Sequence, residues 1–558
     1  MFLSSRNNLL HSSSGRSGSS GFYQLPELCA KMAMFSSVPV VDVHRENFKS
    51  LWPSLLLAIK SCSYVAIDAE LSGLGNRRKL LTKSMEDRYQ SLAEVAKSRS
   101  VLSLGISCFK ARSKTPGDQT ITPEKQNAAL GFLIQTFNIT TLCSEDYIVE
   151  PGSLKFLVDH GFDFNKQYAS GVSYYRGVDN SEKDEKDSDS QTLRLLFASL
   201  IQSAKPVIFH NGLVDLVFLY QNLYSNLPPS SAQFIADLCE IFPGGLFDTK
   251  YLAEFVARMQ ASYLEYVFRK SQRDNVRLAS CGKQHVSLEF CHYDADSPHI
   301  GYHQCSLPAS FIDGGSQKTE KLELCETYAA HGHCKNGIRC SKSHDPDAIQ
   351  DADDCRDERR QRKRDRKKQK RQMKAKAEES QLAEGTEEEG ESGAKTDEIP
   401  KDDEGFKTDG MDVDVQEDAI LEEVSHGEAP QDSQKLSDSD LVGDGPNGHN
   451  ITTTSSSRTS PLKLNKQTGG HRAGYDAFMT GFTMATLALE ISQRGSGISK
   501  TLSPEKETHF VEAFGLRDFK NKLFLSAKPV PLVIAKSSFS KTSQNHRDKM
   551  RRLGMNQP

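Results

Sequence analysis

Three separated segments place acids where apolar neighbours make a charge costly. Asp68 and Glu70 close the apolar stretch SYVAID at 63–68. Strand side chains alternate, so positions i and i+2 share a face. Two carboxylates held side by side repel, and burying them is unfavourable unless a cation neutralises them. Asp215 stands in HNGLVDLVFLY, at the start of an apolar helical stretch. His471 precedes Asp476 in HRAGYDAFMTGF. Four carboxylates suit hard divalent cations, and magnesium is commonly held by a few carboxylates plus substrate phosphate. Two such ions about 3.5–4 Å apart can activate a water and stabilise a leaving oxygen. An imidazole with a near-neutral pKa can take the proton from that water. These are the parts of phosphodiester hydrolysis. Each segment alone also has a bland reading, because a D-x-E pair at a strand end arises by chance and a lone helical Asp often caps or pairs. The order of the three, strand D-x-E, helix N-x-x-x-D and H-x4-D opening a helix, is what points to catalysis.

A second ligand set lies in CETYAAHGHCKNGIRCSKSH. Cys325, Cys334, Cys340 and His344 stand at C-x8-C-x5-C-x3-H, which satisfies one tetrahedral, structural Zn²⁺. So short a segment has no core, so metal binding must supply its folding free energy, on the order of 10–16 kcal/mol. Chelation is therefore expected to unfold this module and leave the sheet domain intact. The spacing resembles the CCCH finger, a resemblance that implies single-stranded RNA binding, with Lys335, Arg339 and Lys342 meeting phosphate and Tyr328 offering a stacking face. A purely structural or protein-binding finger is the alternative. His331 and His333 read as surface residues. Upstream, Cys281, Cys291 and Cys305 with His285, His292, His299 and His303 are a weaker candidate for a second metal site.

The elements that must position these groups are legible in part. Residues 38–270 read as an α/β domain, with strands expected at 63–68, 101–109 and 205–210. A helix is expected at 191–204, where Leu193, Leu196, Phe197, Leu200 and Ile201 form one stripe. The pattern weakens over 271–320, an insertion of uncertain structure, and the finger occupies 321–347. Residues 356–374 are strongly basic. Residues 375–465 are acidic and Ser/Gly-rich with few aromatics, the composition of a disordered linker. Apolar helical character returns at 474–493, and strand-like pieces lie within 508–538. The expected domain is therefore split, 38–270 with 466–540, around a large insertion. Disordered ends are expected at 1–37 and 541–558. Residues 1–31 carry little acid and faintly suggest a transit peptide, although plain disorder accounts for them as well.

Composition agrees. Of 558 residues 37% are hydrophobic and 26% charged, and the mean hydropathy is −0.54, too polar for a wholly globular chain. The net charge of −4 averages a basic run against an acidic one. Twelve thinly spread cysteines do not make the dense framework of a small secreted protein. No apolar run approaches the roughly 20 residues that span a bilayer, so no membrane partner is expected.

Longer motifs carry a family resemblance. YVAIDAELSGL, EDRYQSLAEVAKSRSVLSLGISCF, FLVDHGFDFNKQYASGVSYYRG, HNGLVDLVFLY, FDTKYLA and GYDAFMTGF resemble the poly(A)-specific ribonuclease family, in the histidine-containing branch of the DEDD 3′ exonucleases. The resemblance covers about 40–270 and 468–535. It implies an RNase H-like mixed sheet flanked by helices, with two Mg²⁺ held by Asp68, Glu70, Asp215 and Asp476. It also implies His471 as general base, single-stranded RNA 3′ ends and poly(A) tails as substrates, and 5′-AMP as product. A nuclease, one CCCH finger and a basic run together resemble the nuclear deadenylases of this family. That combination implies short 3′ tails of small nuclear RNAs as substrate and a nuclear location (Cajal body, nuclear speckle or nucleolus). Import would rest on Arg362, Lys363, Arg364, Lys367 and Lys368, read by a nuclear import receptor, with extra RNA affinity as the second reading of the run. Two alternatives remain: an RNA-binding or transcription-regulatory scaffold with an inactive nuclease fold, and a DNA 3′ exonuclease. No oligomeric state follows from the sequence.

Overall fold

The computed structural model describes residues 33–112, 129–177, 192–294, 297–312, 323–384, 472–494 and 510–555. The chain divides into two units, residues 1–362 with 466–558, and residues 363–465. The first is built on a mixed sheet. Its strands are β1 (Ser37–Val43), β2 (Tyr64–Leu71), β3 (Val101–Ala111), β4 (Ala129–Cys143), β5 (Val172–Tyr174), β6 (Val207–Phe209), β7 (Leu246–Asp248), β8 (His285–Phe290), β9 (Ile300–Gln304), β10 (Lys522–Leu523) and β11 (Leu532–Val533). They lie in the order β11-β10-β7-β6-β2-β3-β4-β1-β9. Within the central five, β4-β3-β2-β6-β7, only β3 runs against the rest. This is the RNase H-like mixed sheet that the motifs imply. The long β4 has its outer edge shared in tandem by β8, β1 and β5.

Alternation along β2 sets the layers. Val65 and Ile67 face a core built with Phe48, Leu55, Tyr89, Leu92, Leu196 and Phe234, from helices Arg45–Ser61, Met85–Ser98, Leu193–Gln202 and Ser231–Ile241. Tyr64 and Ala66 face the opposite core, with Phe268, Tyr475, Phe478, Phe482 and Leu489, from helices Leu264–Ser280 and Ala473–Arg494. The second of these helices is buried along most of its length, in keeping with its mostly apolar sequence before Glu490. The expected stripe from Leu193 to Ile201 is buried throughout.

The described residues redraw several expected boundaries. Residues 271–294 and 297–304 are sheet domain rather than an insertion of uncertain structure: helix Leu264–Ser280 runs through the first of them, β8 pairs with β4, and β9 pairs with β1. The tail expected to be disordered from 541 contains helix Gln544–Arg552. That helix is anchored by His546, which has no solvent exposure and bonds to the Tyr224 hydroxyl at 2.8 Å and the Glu240 carboxylate at 2.9 Å. The basic run lies on a single helix, Pro346–Glu384. Expectations for 1–32, for 385–465 and for His471 fall outside the described residues.

Candidate active site and metal centres

Asp68 and Glu70 follow Ala66 on the face of β2 that looks toward helix Ala473–Arg494. The register with β3 shifts between Glu70 and Leu71, a bulge of the kind common beside functional sites. Asp476 sits in the first turn of that helix and is buried. One carboxylate oxygen from each of Asp68, Glu70 and Asp476 can be chosen so that all three lie within 4.8 Å of one another. Asp476 lies more than 400 residues along the chain from Asp68 and Glu70, and the helix start brings it to them.

Asp215, in the first turn of helix Leu213–Leu219, is not within that mutual distance. The backbone N–H groups of Asp215 itself and of Ala69, the residue between the two β2 acids, favour its carboxylate form. Its charge therefore reaches the cluster. Burial pushes the Asp68 carboxyl well above the usual range, and Asp476, Asp215 and Glu70 push it further. Burial likewise pushes Asp215 up to about 7, helped by the Asp248 carboxylate and opposed by the two backbone N–H groups. Mutual repulsion among buried carboxylates is what a divalent cation relieves. The donor set, all oxygen and all anionic, fits Mg²⁺ or Mn²⁺.

The fourth acid is held by a residue that reading the sequence did not single out. Asp248, at the end of β7, is 1% exposed and accepts five backbone N–H groups. Its Oδ1 takes those of Asn211 (2.9 Å), Lys250 (2.9 Å) and Tyr251 (3.3 Å), and its Oδ2 those of Gly212 (3.2 Å) and Phe524 (3.0 Å). Asn211 has φ +64°, a left-handed conformation that asparagine tolerates. Asp248 thereby fixes the turn from β6 into the helix that carries Asp215, and ties in the chain near β10. The one signal in the sequence was an acid in FDTKYLA, a motif quoted for its likeness rather than for a role.

Among the described histidines near this end of the sheet, His210 is engaged on both ring nitrogens, by Thr249 Oγ1 and the Ser262 carbonyl at 2.9 Å each. Burial, with Lys250 nearby, holds it down at about 3. His303 stacks on Tyr475 with ring centroids 4.7 Å apart and faces Arg472. Burial and that guanidinium lower it to about 4. Both stay neutral near pH 7 and are already in use.

The second centre is assembled as its spacing predicts. One donor atom from each of Cys325, Cys334, Cys340 and His344 falls within 4.8 Å of the others. His344 Nε2 is buried without a hydrogen-bond partner, an orphan that a metal bond would satisfy. Three thiols and one imidazole fit Zn²⁺. Tyr328 is not free to stack on a base. Its ring lies on His344 at 4.2 Å and 5°, and its hydroxyl donates to Glu265 at 2.9 Å. Lys342 pairs with Glu323 at 2.9 Å, while Lys335 and Arg339 are exposed. The Cys/His residues between 281 and 305 are not gathered into a metal-sized group among the described residues.

The finger is docked on the sheet domain. A side chain at Gly332 would strike Tyr263, and Leu324, Tyr328 and Ala329 pack on Tyr266, Val267 and Ile349. The following helix begins with an acidic face clasped to basic residues of Leu264–Ser280. Arg273, 1% exposed at its side chain, pairs with Asp347 at 3.0 Å and Asp351 at 2.7 Å. Arg277 pairs with Asp354. Arg362, Lys363, Arg364, Lys367 and Lys368 are exposed farther along that helix.

A family model described as CAF1 family ribonuclease matches residues 43–191 and 178–484. The chain belongs to the CAF1 ribonuclease family. Within the curated relatives, an uncharacterised protein of Schizosaccharomyces pombe is 28% identical over 169 residues, covering 28% of this chain and 36% of its own length. The poly(A)-specific ribonuclease PARN of Xenopus laevis is 22% identical over 198 residues (32% of this chain, 29% of the relative). Human PARN is 28% identical over 147 residues (24% and 21%). The chain thus spans about a third or less of the curated relatives it matches. Among solved structures, S. pombe Pop2p in a Mg²⁺- and Mn²⁺-bound form is similar at 20% identity and TM-score 0.31, over 42% of this chain and 82% of that one. The RNase domain of yeast Pop2 is similar at 16% identity and TM-score 0.29, over 44% and 80%.

Proposed function

We propose that this CAF1-family chain is a magnesium-dependent 3′-to-5′ exoribonuclease that removes 3′ adenosines from RNA and releases 5′-AMP. The observation that carries the proposal is the convergence of Asp68, Glu70 and Asp476 within 4.8 Å, with the charge of Asp215 acting on Asp68 beside them. Two divalent ions, when bound, supply an activated water and a stabilised leaving oxygen. The protein's own part is to hold four carboxylates against their repulsion at one end of the sheet, so that ion binding is rewarded by its relief. His471 is the proposed base. The curated relatives named poly(A)-specific ribonuclease support adenosine tails as the substrate class. Short tails of small nuclear RNAs and a nuclear location are proposed from the finger and from the exposed basic run at 356–374, which would bind an import receptor. One structural Zn²⁺ is proposed at the Cys325, Cys334, Cys340 and His344 set.

The test uses the full chain, Mg²⁺ and a 5′-labelled RNA ending in adenosines. Stepwise shortening with 5′-AMP release, lost in Asp68→Ala and Glu70→Ala, is expected. Equal shortening by wild type and both variants would defeat the proposal. RNA binding without hydrolysis by any of them would favour a scaffold, and shortening of the matched DNA at the same rate would favour a DNA exonuclease.

A further inference from the structure

Four residues in register form a row across the sheet: Asp68 on β2 opposes Gly105 on β3, Gly105 opposes Asn138 on β4, and Asn138 opposes Asp42 on β1. Residues directly opposed on neighbouring strands share a face. The start of helix Ala473–Arg494 lies along this row. A Cβ on Gly105 would come within 1.8 Å of the Ala473 carbonyl oxygen, and one on Gly474 within 2.7 Å of Asn138 Cβ. Arg472 pairs with Asp42. Asp476, four residues on, reaches Asp68 and Glu70.

Asn138 is the polar centre of this row. It is 6% exposed, a position where an unbonded amide would be costly. Its Oδ1 accepts the Gly474 N–H at 3.0 Å and the Ser103 hydroxyl at 3.3 Å, and its Nδ2 donates to Asp42 Oδ1 at 3.4 Å. The first N–H groups of a helix have no partner within it, so the Gly474 bond fixes where this helix begins. The Asp476 N–H closes the first helical bond on the Arg472 carbonyl at 2.9 Å. Both residues flanking the helix start are thus held from the sheet, Gly474 by Asn138 and Arg472 by Asp42.

We propose that Asn138 is a positioning residue for Asp476: with Asp42 it latches Gly474 and Arg472, and so sets the height and rotation at which Asp476 meets the β2 acids. The proposal rests on the reading that these acids hold divalent metal. It adds a residue 338 positions away in sequence, on a strand that carries none of them.

The test is Mn²⁺ affinity of the full chain without RNA, followed by kcat and KM on an oligo(A)-tailed RNA. Asn138→Ala, Asn138→Asp and the exchange pair Asp42→Asn with Asn138→Asp are compared below their melting temperatures. Asn138→Ala is expected to weaken Mn²⁺ binding about 10- to 100-fold, the usual cost of losing a group that orients a ligand, and to lower kcat more than it raises KM. Asn138→Asp, nearly isosteric, sets a second carboxylate against Asp42 and should weaken binding at least as much. The exchange pair restores one amide facing one carboxylate but leaves Arg472 a neutral acceptor at position 42, so it should recover part of the loss seen in Asn138→Asp, which a merely destabilised fold would not do. Folded single variants that bind Mn²⁺ within about twofold of wild type, well short of that cost, would overturn the proposal, and so would an exchange pair no better than Asn138→Asp. A wild type that binds Mn²⁺ but cuts no RNA would remove the nuclease reading and leave this one standing.

Discussion

The backbone N–H of Ala69, the residue between Asp68 and Glu70, acts on the Asp215 carboxyl and offsets part of the upward push of burial. The start of the helix after β6 thus senses the end of β2, and the protonation of Asp215 reports on the metal-free site. Burial pushes Asp215 up to about 7, against about 3.9 in an unfolded chain. The folded state thus binds this proton more tightly. Its contribution to stability is full below about pH 4 and is lost as pH rises through about 7. Asp215→Asn removes this dependence. In metal-free protein the variant should melt no higher than wild type near pH 4 and a few degrees higher at pH 8, since a kcal/mol is worth roughly 2–4 °C in a domain of this size. Mg²⁺ should stabilise wild type and not the variant. Melting curves across pH check this, and a margin that does not widen from pH 5 to 8 would contradict it.

Gly105→Ala is expected to disrupt the docked helix start. The new Cβ would meet the Ala473 carbonyl oxygen at 1.8 Å, a backbone contact that cannot swing away. Overpacking of this kind costs about 1–3 kcal/mol or more, and the displaced Asp476 should lower activity in the molecules that remain folded. Gly152→Ala, with nothing within 4 Å of its Cβ, should stay within about 0.5 kcal/mol of wild type. Denaturant melts of the two variants, compared with their initial rates, make the distinction.

Zinc should matter beyond the finger. From spacing alone, chelation was expected to spare the sheet domain, but Gly332 lies against Tyr263 and Tyr328 bonds Glu265. Tyr263 and Glu265 flank the start of helix Leu264–Ser280, which packs on the helix of Asp476. Metal analysis should give one zinc per chain. Chelation, or Cys334→Ser, should raise amide exchange in 264–280 as well as in 325–344. Exchange confined to 325–344 would restore the simpler expectation.

His471→Ala should lower kcat by about 10²- to 10⁴-fold if the imidazole takes the proton from water. A loss of tenfold or less in the measured rate would reassign His471 to positioning.

What could be read in the sequence was chemistry carried by side-chain type and short spacing. The D-x-E pair needed only the alternation of a strand, and the C-x8-C-x5-C-x3-H set only ligand geometry. Motif likeness linked the segments across the chain. Asn138 and Asp248 were not legible, because their roles come from register and from backbone N–H groups supplied by distant segments. Strands β8 and β9 were missed for a related reason. HVSLEF and IGYHQ alternate weakly, and their histidines, with nearby cysteines, read as metal ligands. In the fold, His303 instead stacks on Tyr475, and His285 lies buried on β8.

The proposed function requires four carboxylates to share paired ions, and counting those ions tests it most directly. Electron paramagnetic resonance of Mn²⁺ titrated into zinc-loaded chain with 5′-AMP should give two bound ions per chain, and fewer in Asp68→Asn and Asp476→Asn. A chain that binds no Mn²⁺, or that binds the same number after both substitutions, would contradict it.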